Sequence, residues 1–106
     1  MNPRYSKYRA KPCIIDGKYF QSQKEGKRYK ELRLLERAGE ISHLCTQVNF
    51  PINVNGEKIC IYRADFTYRT KDGKDIVEDC KGFLTPIYKL KKKLLWAVCR
   101  IQITET

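Results

Sequence analysis

The sequence predicts an α/β fold, more narrowly an α+β domain with a mixed sheet, and three observations predict it. Two helix-period segments flank a strand-rich run. That run is cut twice by hairpin dipeptides, Asn55-Gly56 and Asp72-Gly73, so its three strands should form an antiparallel meander. A short apolar segment follows the second helix and can return beside the third strand through a right-handed crossover. The expected order is helix, three strands, helix, strand.

Residues 1–12 place Arg4, Lys7, Arg9 and Lys11 around Tyr5 and Tyr8, with Pro3 and Pro12 and no apolar periodicity. They read as a basic arm, either a solvated tail or a segment that contacts phosphates or a second subunit. Residues 13–106 form a single domain. A short strand or turn is expected over 14–20, bent at Asp16-Gly17. Ser22-Gln23-Lys24-Glu25 is a capping-box pattern, Tyr29, Leu32 and Leu35 recur at helical spacing, and Gly39 supplies a stop, so the first helix should span 23–38. At 100° per residue Glu25 lies within about 40° of Tyr29 and Leu32 and so points with them toward the sheet. An acid there is either a cap or a ligand.

The three strand runs are 46–54, 58–70 and 74–81. Thr85-Pro86 opens the second helix as N-cap and first helical residue. It should run to about 98, burying Ile87, Leu90, Leu94, Ala97 and Val98, with Lys89, Lys92, Lys93 and Trp96 on the opposite face. The last strand is expected over 100–104.

Composition narrows the function classes. The chain has 106 residues and a formal charge of +10, which suits a polyanion, nucleic acid before an anionic membrane surface. No apolar run is long enough to span a bilayer, and residues 1–11 do not resemble a signal peptide, so a cytoplasmic protein is expected. Cys13, Cys45, Cys60, Cys80 and Cys99 are odd in number, widely spaced and without a Cys-x-x-Cys pair. They indicate neither a disulfide framework nor a zinc site, and buried reduced thiols are expected. His43 is the only histidine, which excludes multi-His metal sites; it reads as a loop or core-edge residue.

The feature that carries chemistry is a pair of acids in strands that should avoid them: Asp65 in Tyr62-Arg63-Ala64-Asp65-Phe66, and Asp79 in Val77-Glu78-Asp79-Cys80-Lys81-Gly82. Whether they meet depends on the turn between them. A two-residue turn at Asp72-Gly73 would pair Lys71 with Lys74 and set Asp65 opposite Cys80, with Asp79 facing the other side. A three-residue turn with Gly73 in a G1 bulge would pair Thr70 with Lys74 and set Asp65 across from Asp79. Two carboxylates opposed across a ladder destabilise a sheet unless something neutralises them, and hard oxygen donors suit Mg²⁺ or Mn²⁺. Lys81, two residues past Asp79, would project from the same face and could orient or deprotonate a water. Acid-x-Lys triplets also occur at Asp16, Glu25 and Asp72, but only Asp79-Cys80-Lys81 closes an apolar strand with another acid across a hairpin.

This order, with Asp65, Asp79-Cys80-Lys81 and Glu25 on the preceding helix, resembles the PD-(D/E)xK nuclease superfamily, whose fold is that of type II restriction endonucleases. More narrowly, Ser22-Gln23-Lys24-Glu25, Gly39-Glu40-Ile41, Tyr62 to Phe66, Val77 to Gly82 and Tyr88-Lys89-Leu90-Lys91-Lys92-Lys93 are similar to small phage and prophage proteins assigned to that superfamily as endonucleases related to Holliday-junction resolvases. The resemblance implies a restriction endonuclease-like core, with Asp65, Asp79 and the Cys80 carbonyl as ligands of Mg²⁺ or Mn²⁺, Lys81 at the nucleophilic water and Glu25 as an additional acid. Ala64 stands where the superfamily name has proline, a position that varies.

Two classes of function follow. One is a metal-dependent DNA endonuclease acting on branched DNA as a homodimer, with Arg4, Lys7, Arg9, Lys89, Lys92 and Lys93 as DNA contacts; the lysine face is open to a solvated or dimer-contact reading as well. The other is a basic nucleic-acid-binding module in which the acids are structural. An RNA nuclease also fits the chemistry.

Overall fold

The protein is seen here as a computed structural model that describes residues 11–80 and 84–106. The basic arm residues Arg4, Lys7 and Arg9, and Lys81 of the acid-x-Lys triplet, lie outside the described residues. The architecture is mixed α+β. A small hairpin of β1 (Cys13–Ile15) and β2 (Lys18–Phe20) precedes α1 (Gln23–Arg37). A four-stranded sheet then follows, in the order β3 (Ile41–Val54), β4 (Glu57–Thr70), β5 (Asp75–Asp79) and β6 (Ile103–Glu105), with α2 (Pro86–Cys99) connecting β5 to β6. β3, β4 and β5 are antiparallel neighbours, and β6 lies parallel to β5 as a crossover return requires.

Local chemistry accounts for these bounds. The turn between β1 and β2 is Asp16-Gly17, both at positive φ, which aspartate and glycine tolerate best. The Ser22 side chain accepts from the Glu25 backbone N–H at 3.1 Å and caps α1. Gly26 is required by packing: a Cβ there would stand 2.5 Å from Cys13 Sγ and 2.9 Å from Ile15 Cδ1, so α1 rests directly on β1. Thr85 caps α2 through the Tyr88 N–H at 3.1 Å, with Pro86 in its first turn as expected.

The turn between β4 and β5 takes the three-residue form. The Thr70 N–H donates to the Lys74 carbonyl at 2.8 Å, and Gly73 sits at φ +89°. Phe66 therefore pairs with Glu78, Thr67 with Val77 and Arg69 with Asp75, a register whose next rung sets Asp65 against Asp79. β3 begins at Ile41, earlier than the periodicity suggests, because its first turn is irregular. His43 and Gln47 adopt positive φ, and the pairing slips by one residue between Ser42 and Cys45. His43 is exposed there, bonded to Ser42 Oγ at 3.0 Å.

The core has two parts. Phe20, Tyr29, Leu32, Ile41 and Phe66 pack around α1, with Phe20 against Tyr29 at 4.9 Å between ring centroids. Ile52, Tyr62, Ala64, Val77, Tyr88, Leu95 and Ile103 pack around α2. The buried line of α2 differs from expectation. Tyr88 and Leu95 are buried, whereas Ile87, Leu90, Ala97 and Val98 are exposed and Leu94 is half-buried. The helix is turned because polar bonds fix it: Tyr88 reaches Glu105 at 2.6 Å, Lys92 reaches the same Glu105 oxygen at 3.0 Å, and Lys91 reaches the Ile61 carbonyl at 3.0 Å. Lys92 thus leaves the outer face, where Lys89, Lys93 and Trp96 remain exposed. Leu35 of α1 is likewise exposed rather than buried. The thiols are free as expected, but Cys45 and Cys99 are exposed and the other three half-buried.

Candidate active site

Three elements deliver three acids to one end of the sheet. Glu25 comes from the first turn of α1, Asp65 from the middle of β4 and Asp79 from the end of β5. Glu25 and Asp79 are buried and Asp65 half-buried. The two strand acids brace each other's backbone. The Asp65 N–H donates to Asp79 Oδ1 at 3.1 Å, and the Cys80 N–H donates to Asp65 Oδ2 at 2.8 Å. At this rung, side chains replace the ladder's backbone partners, which holds both carboxyls in place.

Glu25 closes the group. Its carboxyl is pushed up to about 7 by burial first and then by the neighbouring charge of Asp65. A hydrogen bond with Asp65 and the charge of Asp79 add to this, while the Gln21 backbone opposes it. The carboxyl therefore divides itself between the chain just before α1 and the acids. The Ser22 half of the expected capping box is present, while the carboxyl meets the Gln21 backbone rather than the Ser22 amide.

The far side of the cluster is set by residues that sequence reasoning passed over. Asp79 pairs in parallel with Glu105, and its carbonyl accepts from the Thr106 N–H at 2.9 Å. Tyr88, bonded to Glu105, has its hydroxyl raised above the ordinary tyrosine range by burial, then by Glu105, with Asp79 and Asp65 adding. It lies within the field of both acids. The signal was present as a tyrosine at the start of the second helix, but only the crossover shows what it faces. Burial also raises the Cys80 thiol, which contacts Thr106.

Glu78, next to Asp79, is a different kind of acid. It is fully buried and accepts from Arg28 Nε at 2.6 Å, from Arg28 Nη2 at 2.9 Å and from the Tyr68 hydroxyl at 2.7 Å. This fork ties α1 to β5. The pair raises Arg28 above its usual range and Tyr68 up to about 12, burial being the larger cause for Tyr68.

Fold and site together define a small α+β domain that gathers acids from a helix and two sheet strands at the mouth of a helical crossover. The chain belongs to the family described as Protein of unknown function (DUF1064), whose model matches residues 5–102. No curated protein and no solved structure matches it. Among the described residues, no helix is long and apolar enough to cross a membrane.

Proposed function

We propose that this protein is a metal-dependent DNA endonuclease of the PD-(D/E)xK kind, with a restriction endonuclease-like core, acting on branched DNA as a homodimer. One observation carries the reading: Glu25, Asp65 and Asp79, from three separate elements, converge at one end of the sheet, where burial first and the neighbouring acids second lift the Glu25 carboxyl to about 7. A carboxyl shifted to near neutral pH by burial and by neighbouring acids is a mark of functional sites, and a cluster of acids is where a cation from outside is favoured.

The donor set suits Mg²⁺ or Mn²⁺, which prefer carboxylate and carbonyl oxygens. Among the described residues, no three His, Cys, Asp or Glu side chains already stand as a cage, so loading requires the acids to draw together and Glu25 to give up its proton. Asp65, Asp79, the Cys80 carbonyl and Glu25 would hold the ion, and Lys81 would follow directly. When bound, it would polarise a phosphodiester and activate water. Glu25 is the group able to take up or release a proton near neutral pH at that place. The uncovered apolar stripe of α2, with Ile87 62% exposed and Leu90 55% exposed, supports the two-copy part of the reading.

A non-catalytic nucleic-acid-binding module is the second reading, favoured by the backbone hydrogen bonds that already occupy Asp65 and Asp79. Incubating labelled four-way junction, duplex and single-stranded DNA with protein and Mg²⁺ or Mn²⁺, beside Asp79→Asn, separates the two. Cleavage of the junction by the unaltered chain and its loss in the variant are expected. Absence of cleavage on every substrate with both metals overturns the enzyme.

A further inference from the structure

An open groove of about 850 Å³ lies between the C-terminal end of α2 and the sheet, beside the acids rather than on them. Val77 lies on its floor, with Phe50, while Trp96, Arg100, His43 and Arg69 stand around it. Val77 and Asp79 are one pleat apart on β5, so they share a face and are separated by about 7 Å along the strand. α2 covers the same span in the opposite direction: Tyr88 stands in the field of the acids, and Trp96 lies two turns further, about 12 Å along the axis. Groove and acid cluster are neighbouring stretches of one surface.

The wall carries what an unpaired nucleotide needs. Trp96 is 49% exposed, far from the usual burial of so large a ring. The Arg100 guanidinium lies 5.1 Å from the Trp96 ring centroid, and Arg100 adopts the left-handed conformation at φ +58°, unusual for this residue, to end α2 there. An aromatic face beside a guanidinium offers stacking and phosphate attraction together. The groove's acid, Asp75, is tied to Arg69 at 3.0 Å, which leaves Arg100 as its uncompensated guanidinium among the described contacts. A chain of net charge +10 favours a polyanion as the occupant over an apolar peptide.

We propose that this groove binds an unpaired strand of nucleic acid by stacking a base on Trp96 beside Arg100, and that it positions the strand leading to the acid cluster. The assignment deepens the nuclease reading and rests on it for the choice of DNA. It gives a physical reason for preferring branched over continuous duplex DNA, because only an unpaired base presents its face to a side chain.

Trp96 is the only tryptophan of the chain, so its emission reports on this groove alone. Full-length protein in EDTA is titrated with a fluorescently labelled oligothymidylate. Binding is read from the anisotropy of the label, and Trp96 emission is followed in parallel with unlabelled oligomer. Quenching of Trp96 that tracks the binding curve is expected, with affinity reduced about tenfold in Trp96→Ala, largely kept in Trp96→Phe and unchanged in Lys30→Ala on the exposed face of α1. Thermal unfolding of each variant checks that it is folded. Binding without quenching, equal affinity in Trp96→Ala, or no binding at all overturns the groove. Quenching and binding without metal-dependent cleavage of any substrate support the groove and overturn the nuclease reading instead.

Discussion

Glu78 and Asp79 are consecutive, both fully buried and both on β5, yet the protein treats them in opposite ways. Glu78 points to the α1 side and meets a bidentate arginine and a tyrosine hydroxyl, so its charge is neutralised within the fold. Asp79, on the opposite face of the strand, lies with Asp65, and the charge of both helps raise the carboxyl of Glu25 after burial has done so. The difference separates an acid that holds two elements together from an acid grouped with other acids, the arrangement on which the proposed metal site rests. A strand's period of two is what allows adjacent residues to serve both ends.

The comparison breaks most directly at Asp79. Asp79→Asn keeps the acceptor for the Asp65 N–H but removes a negative charge from the cluster. Cleavage of a junction should fall by more than about a hundredfold, since even partners that merely support metal ligands cost 10- to 100-fold. Melting temperature in EDTA should change little by comparison, because the amide keeps the acceptor and the shape of the side chain. A variant that loses stability and keeps its cleavage would make Asp79 a structural acid like its neighbour.

Arg28→Ala tests the other member and should do the reverse. It strands a fully buried carboxylate, and Arg28 itself is only 26% exposed at its side chain. A loss of about 3 kcal/mol is expected in urea unfolding, the lower end of the range for a broken buried pair because water can reach the arginine's place. Replacing both partners, Arg28→Met with Glu78→Leu, should recover most of it, since an ion pair of this kind contributes little beyond an apolar pair of similar volume.

These two acids also show what sequence could and could not reveal. The alternation of β4 and β5, the hairpin dipeptides and the capping residues Ser22 and Thr85 were legible, and with them the order of elements and the crossover of β6. Asp65 and Asp79 stood out because acids are rare in strands. Glu78 did not, for its partner Arg28 is fifty positions away and only the docking of α1 joins them. The face of α2 was misread for a similar reason. Ile87, Leu90, Leu94 and Val98 make the better apolar stripe, but bonds from Tyr88 and Lys92 to Glu105 and from Lys91 to β4 outweigh it and turn Leu95 inward. Periodicity sees apolar area; it does not see tertiary hydrogen bonds.

Acidity gives a subtler contrast. Glu25 titrates near 7 in the fold and near 4.5 as an ordinary glutamate, so between those values the folded protein holds a proton that the unfolded chain has lost. In EDTA this contribution is complete below about pH 4.5, fades as pH rises and is gone above about pH 7. Melting temperature should therefore fall more from pH 5.5 to pH 8 in the unaltered chain than in Glu25→Gln. Mg²⁺ should restore stability chiefly at the alkaline end. Equal pH profiles for the two proteins would remove Glu25 from the acid cluster.

The smallest expected effect is at the most distant position. Gly73 lies at the far end of the β4–β5 hairpin from the acids, in open space, so Gly73→Ala meets no clash. Its cost is the positive φ alone, about 1–2 kcal/mol for a residue with a Cβ, and Gly73→Asn should cost less. Deleting Lys71 asks a different question of the same turn. It shortens the loop to Asp72-Gly73 but leaves Thr70 opposite Lys74, so every rung from Arg69–Asp75 to Asp65–Asp79 keeps its partner. Phe66 and Val77 also keep their faces, and the two cores are undisturbed. Cleavage should therefore persist in the deletion, with melting temperature moving only by the change of turn type. A folded deletion variant that has lost cleavage would show that the three-residue turn does more for the acids than set their register.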